Sequence, residues 1–204
     1  MTAARESAAA GESLDVEARV AEAVARRDFK SATTALIEGY GPQVLGYLRA
    51  VVKDGEKAED AFALFSENVW RGFPTWEGRA SARAWAYSVA WNAAGRLFRD
   101  PWNRRRRKLQ RSVASKLAAA VLSSSRLDLE RREAELDQLR AFLTPEEHSL
   151  LVLRVDRGLS WREVAVAMGE PDDDASLAAQ RKRFERLKAK LAIIARTCGL
   201  LGES

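Results

Sequence analysis

Tryptophans and arginines alternate through one stretch of the chain. Five of the six tryptophans lie between residues 70 and 102, and arginines are interleaved with them. Aromatic rings stack on unpaired bases at about 1–3 kcal/mol per base, while arginines hold the phosphates. The pattern therefore favours contact with single-stranded nucleic acid. The residues concerned are Trp70, Trp76, Trp85, Trp91 and Trp102, with Arg71, Arg79, Arg83, Arg96 and Arg99.

Burial in a protein core is the competing explanation for these tryptophans, because a large aromatic side chain is usually structural. Trp85 and Tyr87 are compatible with a place in the protein core, and we expect Trp70 to belong to the core. Trp76 lies in a segment rich in glycine and proline, where packing constrains it least. For Trp76, an exposed, ligand-facing position and a packed one both remain open.

A second basic pattern follows nearer the C-terminus. Thr144 with Glu147, and Ser160 with Glu163, have the spacing of capping boxes, which begin helices. A longer segment from Leu177 to Ala195 combines an apolar stripe with basic side chains. Two short helices and a basic third are typical of a helix-turn-helix, whose last helix enters the major groove. The alternative is an ordinary helical bundle with a solvated basic face.

Residues for catalysis or metal binding are scarce. His148 is the only histidine, and we expect it at the surface or half-buried. Cys198 is the only cysteine, so neither a disulfide within the chain nor a cysteine metal cluster can form. Residues 172–174 are aspartates without EF-hand spacing, which predicts a solvated loop with a helix cap. We therefore predict no catalytic residues, no metal ligands and no cofactor.

The composition is that of a folded protein with a polyanionic partner. Of 204 residues, 47% are hydrophobic and 31% are charged, and the net charge is +5. Residues 1–16 lack the basic start and apolar run of a secretory signal. No apolar run is long enough to cross a bilayer. We therefore expect a cytoplasmic protein without a membrane partner.

Hydrophobic spacing predicts helices throughout, hence an all-α fold. Met1–Ser13 reads as a frayed tail, and Leu14–Arg27 reads as a helix. A second helix from Phe29 should break or kink near Gly39, Gly41 and Pro42. Further helices are expected over residues 56–70 and from Ser81 to about Phe98, separated by a loop. The basic run at residues 104–108 belongs to a linker that is partly helical.

These patterns divide the chain into two small helical domains joined by a basic linker. The expected parts are a tail with a short helix at 1–28, a first domain at 29–100, the linker at 101–137, a second domain at 138–196 and a tail at 197–204.

Several stretches, in this order, resemble a bacterial RNA polymerase sigma factor of the two-domain extracytoplasmic-function type. Ala58-Glu59-Asp60 followed by Trp70 is similar to the helix that grips the polymerase clamp. Ala84-Trp85-Ala86-Tyr87 with Ala90 and Asn92 is similar to the promoter-melting helix. Leu143-Thr144-Pro145-Glu146 and the stretch from Gly158 to Ala165 are similar to the reader of the minus-thirty-five element. The resemblance spans roughly 29–98 and 139–191.

The resemblance implies a sigma domain 2-like bundle and a sigma domain 4-like helix-turn-helix. The implied partners are the clamp and flap of core RNA polymerase, single- and double-stranded promoter DNA, and an anti-sigma factor as a further candidate. The implied polymerase contacts are Glu59, Asp60, Ala63 and Glu67. The implied minus-ten contacts are Trp76, Arg79, Arg83, Trp85, Asn92, Arg96 and Arg99. The implied minus-thirty-five contacts are Ser160, Arg162, Arg181, Lys182, Arg183 and Arg186.

Two departures from the family pattern bear on these assignments. The clamp helix carries Ala63 and Ser66 where family members usually have glutamine and phenylalanine. The turn before the last helix, residues 169–176, is longer than usual and acidic, so it would repel phosphate. A stand-alone helix-turn-helix regulator that binds duplex DNA without polymerase is the alternative function.

Overall fold

A computed structural model describes residues 2–99 and 142–197, with side chains from Ser13 to Phe98 and from Phe142 to Thr197. These ranges contain helices and turns and no strand, so the all-α prediction is confirmed. The predicted linker at 101–137 lies outside the described residues. The helices are α1 (Thr2–Ala25), α2 (Phe29–Val52), α3 (Gly55–Gly72), α4 (Ala82–Arg99), α5 (Pro145–Leu151), α6 (Trp161–Ala167) and α7 (Asp174–Thr197).

The N-terminal segment is helical from Thr2, so the predicted frayed tail is wrong. Alanine, arginine and glutamate dominate its first residues, and these are strong helix formers, so helix propensity extends α1 ahead of its buried part. Val16, Val20 and Ala23 are the buried positions of α1, which packs against α2. The part of α1 whose side chains are described thereby belongs to the first bundle.

Of the break or kink predicted near Gly39, Gly41 and Pro42, the break does not occur, because helix α2 continues through Pro42. The proline removes one backbone hydrogen bond, but the flanking apolar face is buried at Leu36, Tyr40 and Val44, which offsets that loss. Gly39, three residues before the proline, serves packing. A Cβ at Gly39 would overlap the Val16 side chain, so only glycine lets α1 approach α2 this closely.

The second half has the predicted helix-turn-helix elements. Both capping boxes are present, at Thr144 with Glu147 and at Ser160 with Glu163. Helix α5 runs into a π-helical turn, Val152–Asp156, and Gly158 reverses the chain with φ of +63°. Such a positive φ is strained for any residue with a Cβ, which explains a glycine there.

One hydrophobic core joins the two halves of the chain. It contains residues of α2, α3 and α4 together with residues of α5, α6 and α7. At the contact, the Tyr47 hydroxyl and Ser149 Oγ lie 2.6 Å apart, and both side chains are fully buried. Burial raises the pKa of Tyr47, so its hydroxyl stays protonated and can donate to Ser149.

The N-terminus of α4 is held by residues distant in sequence. The Glu17 carboxylate of α1 accepts hydrogen bonds from the backbone N–H groups of Ala82 and Arg83, at 2.8 and 2.9 Å. The Tyr40 hydroxyl lies 2.9 Å from the same carboxylate. Ser81 Oγ accepts from the Ala84 N–H at 3.1 Å, which confirms the predicted cap. Helix α4 therefore begins where α1 and α2 meet.

We expect Glu17→Ala to lower the free energy of unfolding by about 1–2 kcal/mol, because two N–H groups at the start of α4 lose their acceptor. The melting temperature, followed by circular dichroism at 222 nm, should fall by several degrees. Glu22→Ala is the control, since Glu22 is exposed on the same helix and pairs with Arg26. Equal destabilisation by both substitutions would contradict the capping role.

Candidate nucleic-acid interface

One face of α3 presents the residues assigned to polymerase binding. Glu59, Asp60, Ala63 and Glu67 are all exposed. Their spacing places them within about 100° of one another around the helix axis. Glu59 pairs with Arg49 at 3.3 Å, and Glu67 pairs with Arg71 at 2.7 Å. Exposed pairs of this kind contribute about 0–1 kcal/mol, so both carboxylates can exchange partners at small cost.

Trp70 lies on the same face, and the prediction that it belongs to the core is wrong. Its side chain is 51% exposed, whereas the neighbouring Val69 is fully buried. Trp70 follows Glu59 by eleven residues, and at 100° per residue this returns it to the exposed stripe. The helical spacing was the signal available in the sequence, and residue type alone misled. A large exposed indole on a helix face is typical of a protein–protein contact.

An aromatic cluster, formed by Phe73, Trp76 and Trp85, connects the end of α3 to α4. The Trp76 ring centroid lies 5.5 Å from that of Trp85 and 5.8 Å from that of Phe73. Phe73 is buried, while Trp76 and Trp85 are half-buried. A Cβ at Gly72 would lie 2.8 Å from Trp85 Cζ2, so the glycine makes room for this ring. The cluster is thus anchored on one side and open to solvent on the other.

Helix α4 continues this surface with polar side chains. Asn92 and Arg96 are exposed and share a face with Trp85, since they follow it by seven and eleven residues. Arg99 follows Trp85 by fourteen residues, so its position in the helix is on the same side of α4. Its side chain is not among those that the structure describes. Arg79, in the loop before α4, is exposed and paired with Glu77. An open aromatic surface beside cationic and amide groups has the chemistry to hold unpaired bases.

Arg83 does not join this group, although it was assigned to it. Its guanidinium donates a hydrogen bond to the backbone carbonyl of Arg157 in the second half of the chain. It lies two positions before Trp85, which turns it about 160° around the helix axis. The minus-ten assignment of Arg83 came from the family resemblance and stays a prediction.

The basic residues of the second half are divided between two sides of α7. Lys182, Arg183 and Arg186 are exposed and share one side, whereas Arg181 lies about 100° or more away from each of them. Arg162, on α6, is also exposed. The Ser160 hydroxyl accepts the Glu163 N–H as the cap of α6. The assignment of these residues to the minus-thirty-five duplex stays a prediction.

The acidic turn between α6 and α7 neutralises two of these cations. Arg162 Nε donates to Asp172 at 2.7 Å, and Arg183 Nη1 donates to Glu170 at 2.9 Å. Asp173 caps α7 as predicted. Hydrogen bonds from the Ser176 backbone N–H and hydroxyl hold the pKa of the Asp173 carboxyl below its usual value.

His148 is 2% exposed, so the predicted surface or half-buried position is wrong. It belongs to α5, which packs against both α2 and α7, and these contacts exclude solvent from the His148 side chain. Within residues 2–99 and 142–197, His, Cys, Asp and Glu do not gather in threes to form a metal site. Over the same residues, the helices are too short or too polar to cross a bilayer.

Comparisons with known proteins bear on these surfaces. Residues 36–106 match the family model for sigma-70 region 2. A search of curated proteins gave no significant match. The solved structure of CnrH in complex with the cytosolic domain of CnrY has a TM-score of 0.60 and 17% sequence identity, over 89% of this chain and 97% of that one.

A second similar structure is the sigma factor RpoE in complex with the anti-sigma factor NepR from Bartonella quintana. It has a TM-score of 0.50 and 17% sequence identity, over 83% of this chain and 98% of that one. At this identity the likeness establishes a shared fold. Residues 36–106 thus match sigma-70 region 2, and the chain shares its fold with CnrH and with the sigma factor RpoE.

Proposed function

We propose that the chain is a dissociable promoter-specificity subunit of RNA polymerase with no reaction of its own. The exposed face of α3 docks on the polymerase clamp. The aromatic cluster and the adjoining face of α4 hold an extruded base of the minus-ten element. Helices α6 and α7 bind the minus-thirty-five duplex, while the second half contacts the polymerase flap.

The match of residues 36–106 to sigma-70 region 2 carries this proposal. That segment spans most of α2, all of α3 and all of α4, and it includes the exposed α3 face and the aromatic cluster. Extruding a base costs a few kcal/mol, and a half-open stacking surface supplies a comparable gain.

The direct test is to mix the chain with core RNA polymerase. We expect the two to co-migrate on a sizing column and to transcribe selectively from a cognate promoter. Failure to co-migrate would contradict the proposal.

The alternative is a stand-alone helix-turn-helix regulator, which the capping boxes and basic face of the second half favour. Tight, sequence-specific duplex binding by the chain without polymerase would support that alternative.

On promoter DNA the two halves would have to part. Elements at minus ten and minus thirty-five are separated by about 80 Å of duplex at 3.4 Å per base pair. A compact chain of 204 residues has a radius of gyration of about 17 Å. Arg183 and Arg186 moreover line a groove of about 610 Å³, to which Trp91 of α4 also contributes. A groove of this size fits a small ligand and not a duplex.

An anti-sigma factor is a further proposed partner. RpoE of Bartonella quintana was solved with one, and CnrH was solved with the cytosolic domain of CnrY. We propose that a partner of this class binds the closed arrangement of the present chain and holds its two halves together. It would thereby keep α7 away from duplex DNA.

We expect Trp70→Ala to weaken binding to core polymerase by about tenfold or more, because a buried interface tryptophan contributes about 2 kcal/mol or more. The fold should be unaffected, since the indole is half in solvent. The measurement is the Kd of the fluorescently labelled chain by anisotropy. Leu14→Ala is the control, because Leu14 is 72% exposed on α1, outside the residues assigned to polymerase or DNA. A Kd unchanged by Trp70→Ala would exclude Trp70 from the interface.

Trp76→Ala should impair promoter opening more than core binding, because one stacking ring contributes about 1–3 kcal/mol. Permanganate footprinting reports opening, and co-migration reports core binding. Trp76→Phe keeps a ring beside Phe73 and Trp85, so most of the opening should return. Equal loss of opening and core binding in Trp76→Ala would instead indicate a role in folding.

Arg183→Ala should weaken use of the minus-thirty-five element by about 1–3 kcal/mol and relax the preference at one base position. Holoenzyme binding to a panel of single-base promoter variants measures both effects. Lys188→Ala removes one positive charge from another side of α7 and is the matched control. If the preference is unchanged at every position, Arg183 contacts phosphate at most.

A further inference from the structure

We propose that Glu170 and Asp172 are positioning residues for DNA recognition: they direct Arg183 and Arg162 towards base edges and away from phosphates. This inference rests on the proposed function, because it assigns a task to the turn between α6 and α7. It gives that acidic turn, residues 169–174, a role in specificity.

The turn is fixed at both ends by backbone hydrogen bonds. Gly169, with φ of +76°, ends α6, and its N–H donates to the Val166 carbonyl at 3.0 Å. The Glu170 N–H donates to the Ala165 carbonyl at 2.9 Å, which completes a Schellman-type cap. At the other end, Asp173 accepts the Ser176 N–H at 2.7 Å. The backbone that carries Glu170 and Asp172 is therefore already ordered. Their carboxylates lose little further conformational entropy when they pair with arginines.

Each carboxylate accepts a hydrogen bond from only one nitrogen of its arginine. A guanidinium has five N–H donors in a planar fork. Asp172 accepts from Arg162 Nε, which leaves the terminal nitrogens of Arg162 free to donate. Glu170 accepts from Arg183 Nη1, which leaves Nε and Nη2 of Arg183. A guanine edge needs two parallel donors, so both arginines keep a pair that suits it.

The same pairs oppose contact with phosphate. A guanidinium beside a carboxylate carries little net charge, and a phosphate must approach against that carboxylate. Exposed pairs are weak, so the bias amounts to about two- to fivefold for each pair. Within the described residues, Lys182 and Arg186 have no such ion pair and remain available to phosphates. Over these residues, the basic surface thus combines two arginines that are paired with carboxylates and two cations that are not. The paired arginines are Arg162 and Arg183, and the other two cations are Lys182 and Arg186.

The test uses holoenzyme reconstituted from the full chain and core polymerase. Duplexes are first selected from a random library with the wild-type holoenzyme. The ratio of affinities for a selected duplex and for a scrambled duplex of equal composition is then measured over a range of salt concentrations. The variants are Glu170→Gln, Asp172→Asn and the charge-retaining Asp172→Glu. Glu185→Gln is the control, because it removes one charge from α7 and releases only Lys188.

We expect Glu170→Gln and Asp172→Asn each to lower the affinity ratio by about two- to fivefold, the size of one exposed pair. Each should also steepen the salt slope on scrambled duplex by about 0.9, the value for one added phosphate contact. Asp172→Glu should lower the ratio without steepening the slope, because it moves the carboxylate and keeps its charge. Glu185→Gln should leave the ratio unchanged.

A ratio that is unchanged in both neutralising variants, or that falls equally in the Glu185→Gln control, would overturn the inference and leave the proposed function intact. A wild-type holoenzyme that selects no sequence from the library would overturn both. Because the three substituted side chains are 36–67% exposed, unchanged melting temperatures are expected, and they would show that altered binding does not arise from unfolding.

Discussion

The structure depends on how the first turn of α4 is held. Glu17 of α1 accepts two of its N–H groups, and Ser81 accepts a third. Ser81 also lies 3.4 Å from Glu163 of α6, and Arg83 donates to a carbonyl of the second half. A helix N-terminus has N–H groups without intrahelical partners, and here they are satisfied by a distant acid and a local cap. One helix end thus ties α1, α4 and α6 together.

This junction sets the position of the candidate minus-ten surface. Trp85 belongs to the first turn of α4. The contacts that fix this turn therefore also fix the position of the aromatic cluster. Gly72 allows Trp85 to pack on the end of α3, which links the cluster to the helix that carries Trp70. The proposed polymerase-binding and base-holding surfaces are therefore the outer sides of one rigid bundle. A shift of α4 would move both surfaces together.

Local signals in the sequence predicted most of the helices, because a cap and its N–H partners lie within a few residues. Thr144, Ser160 and Ser81 were assigned correctly for this reason. Contacts between distant segments left no local signal: nothing near Glu17 indicates that it caps a helix 65 residues later. Trp70 was misplaced because residue type outweighed helical phase. The break offered as one outcome at Pro42 does not occur, because burial on both sides of the proline compensates the loss of one backbone hydrogen bond.

The contact between the two halves includes buried polar atoms that lack hydrogen-bond partners within the part of the chain that the structure describes. It buries the Tyr47–Ser149 hydrogen bond, but Tyr87 Oη and Arg157 Nε are buried there without a hydrogen-bond partner among the described residues. Each such atom costs about 1–3 kcal/mol that water would recover on opening. The unpaired atoms thus offset part of the apolar gain and lower the free energy that opening costs. Under the proposed function only an open form would bind polymerase and promoter together, and the apparent affinity would fall in proportion to the population of that form. The strength of this internal contact would then set how readily the chain engages DNA, independently of any residue that touches a base.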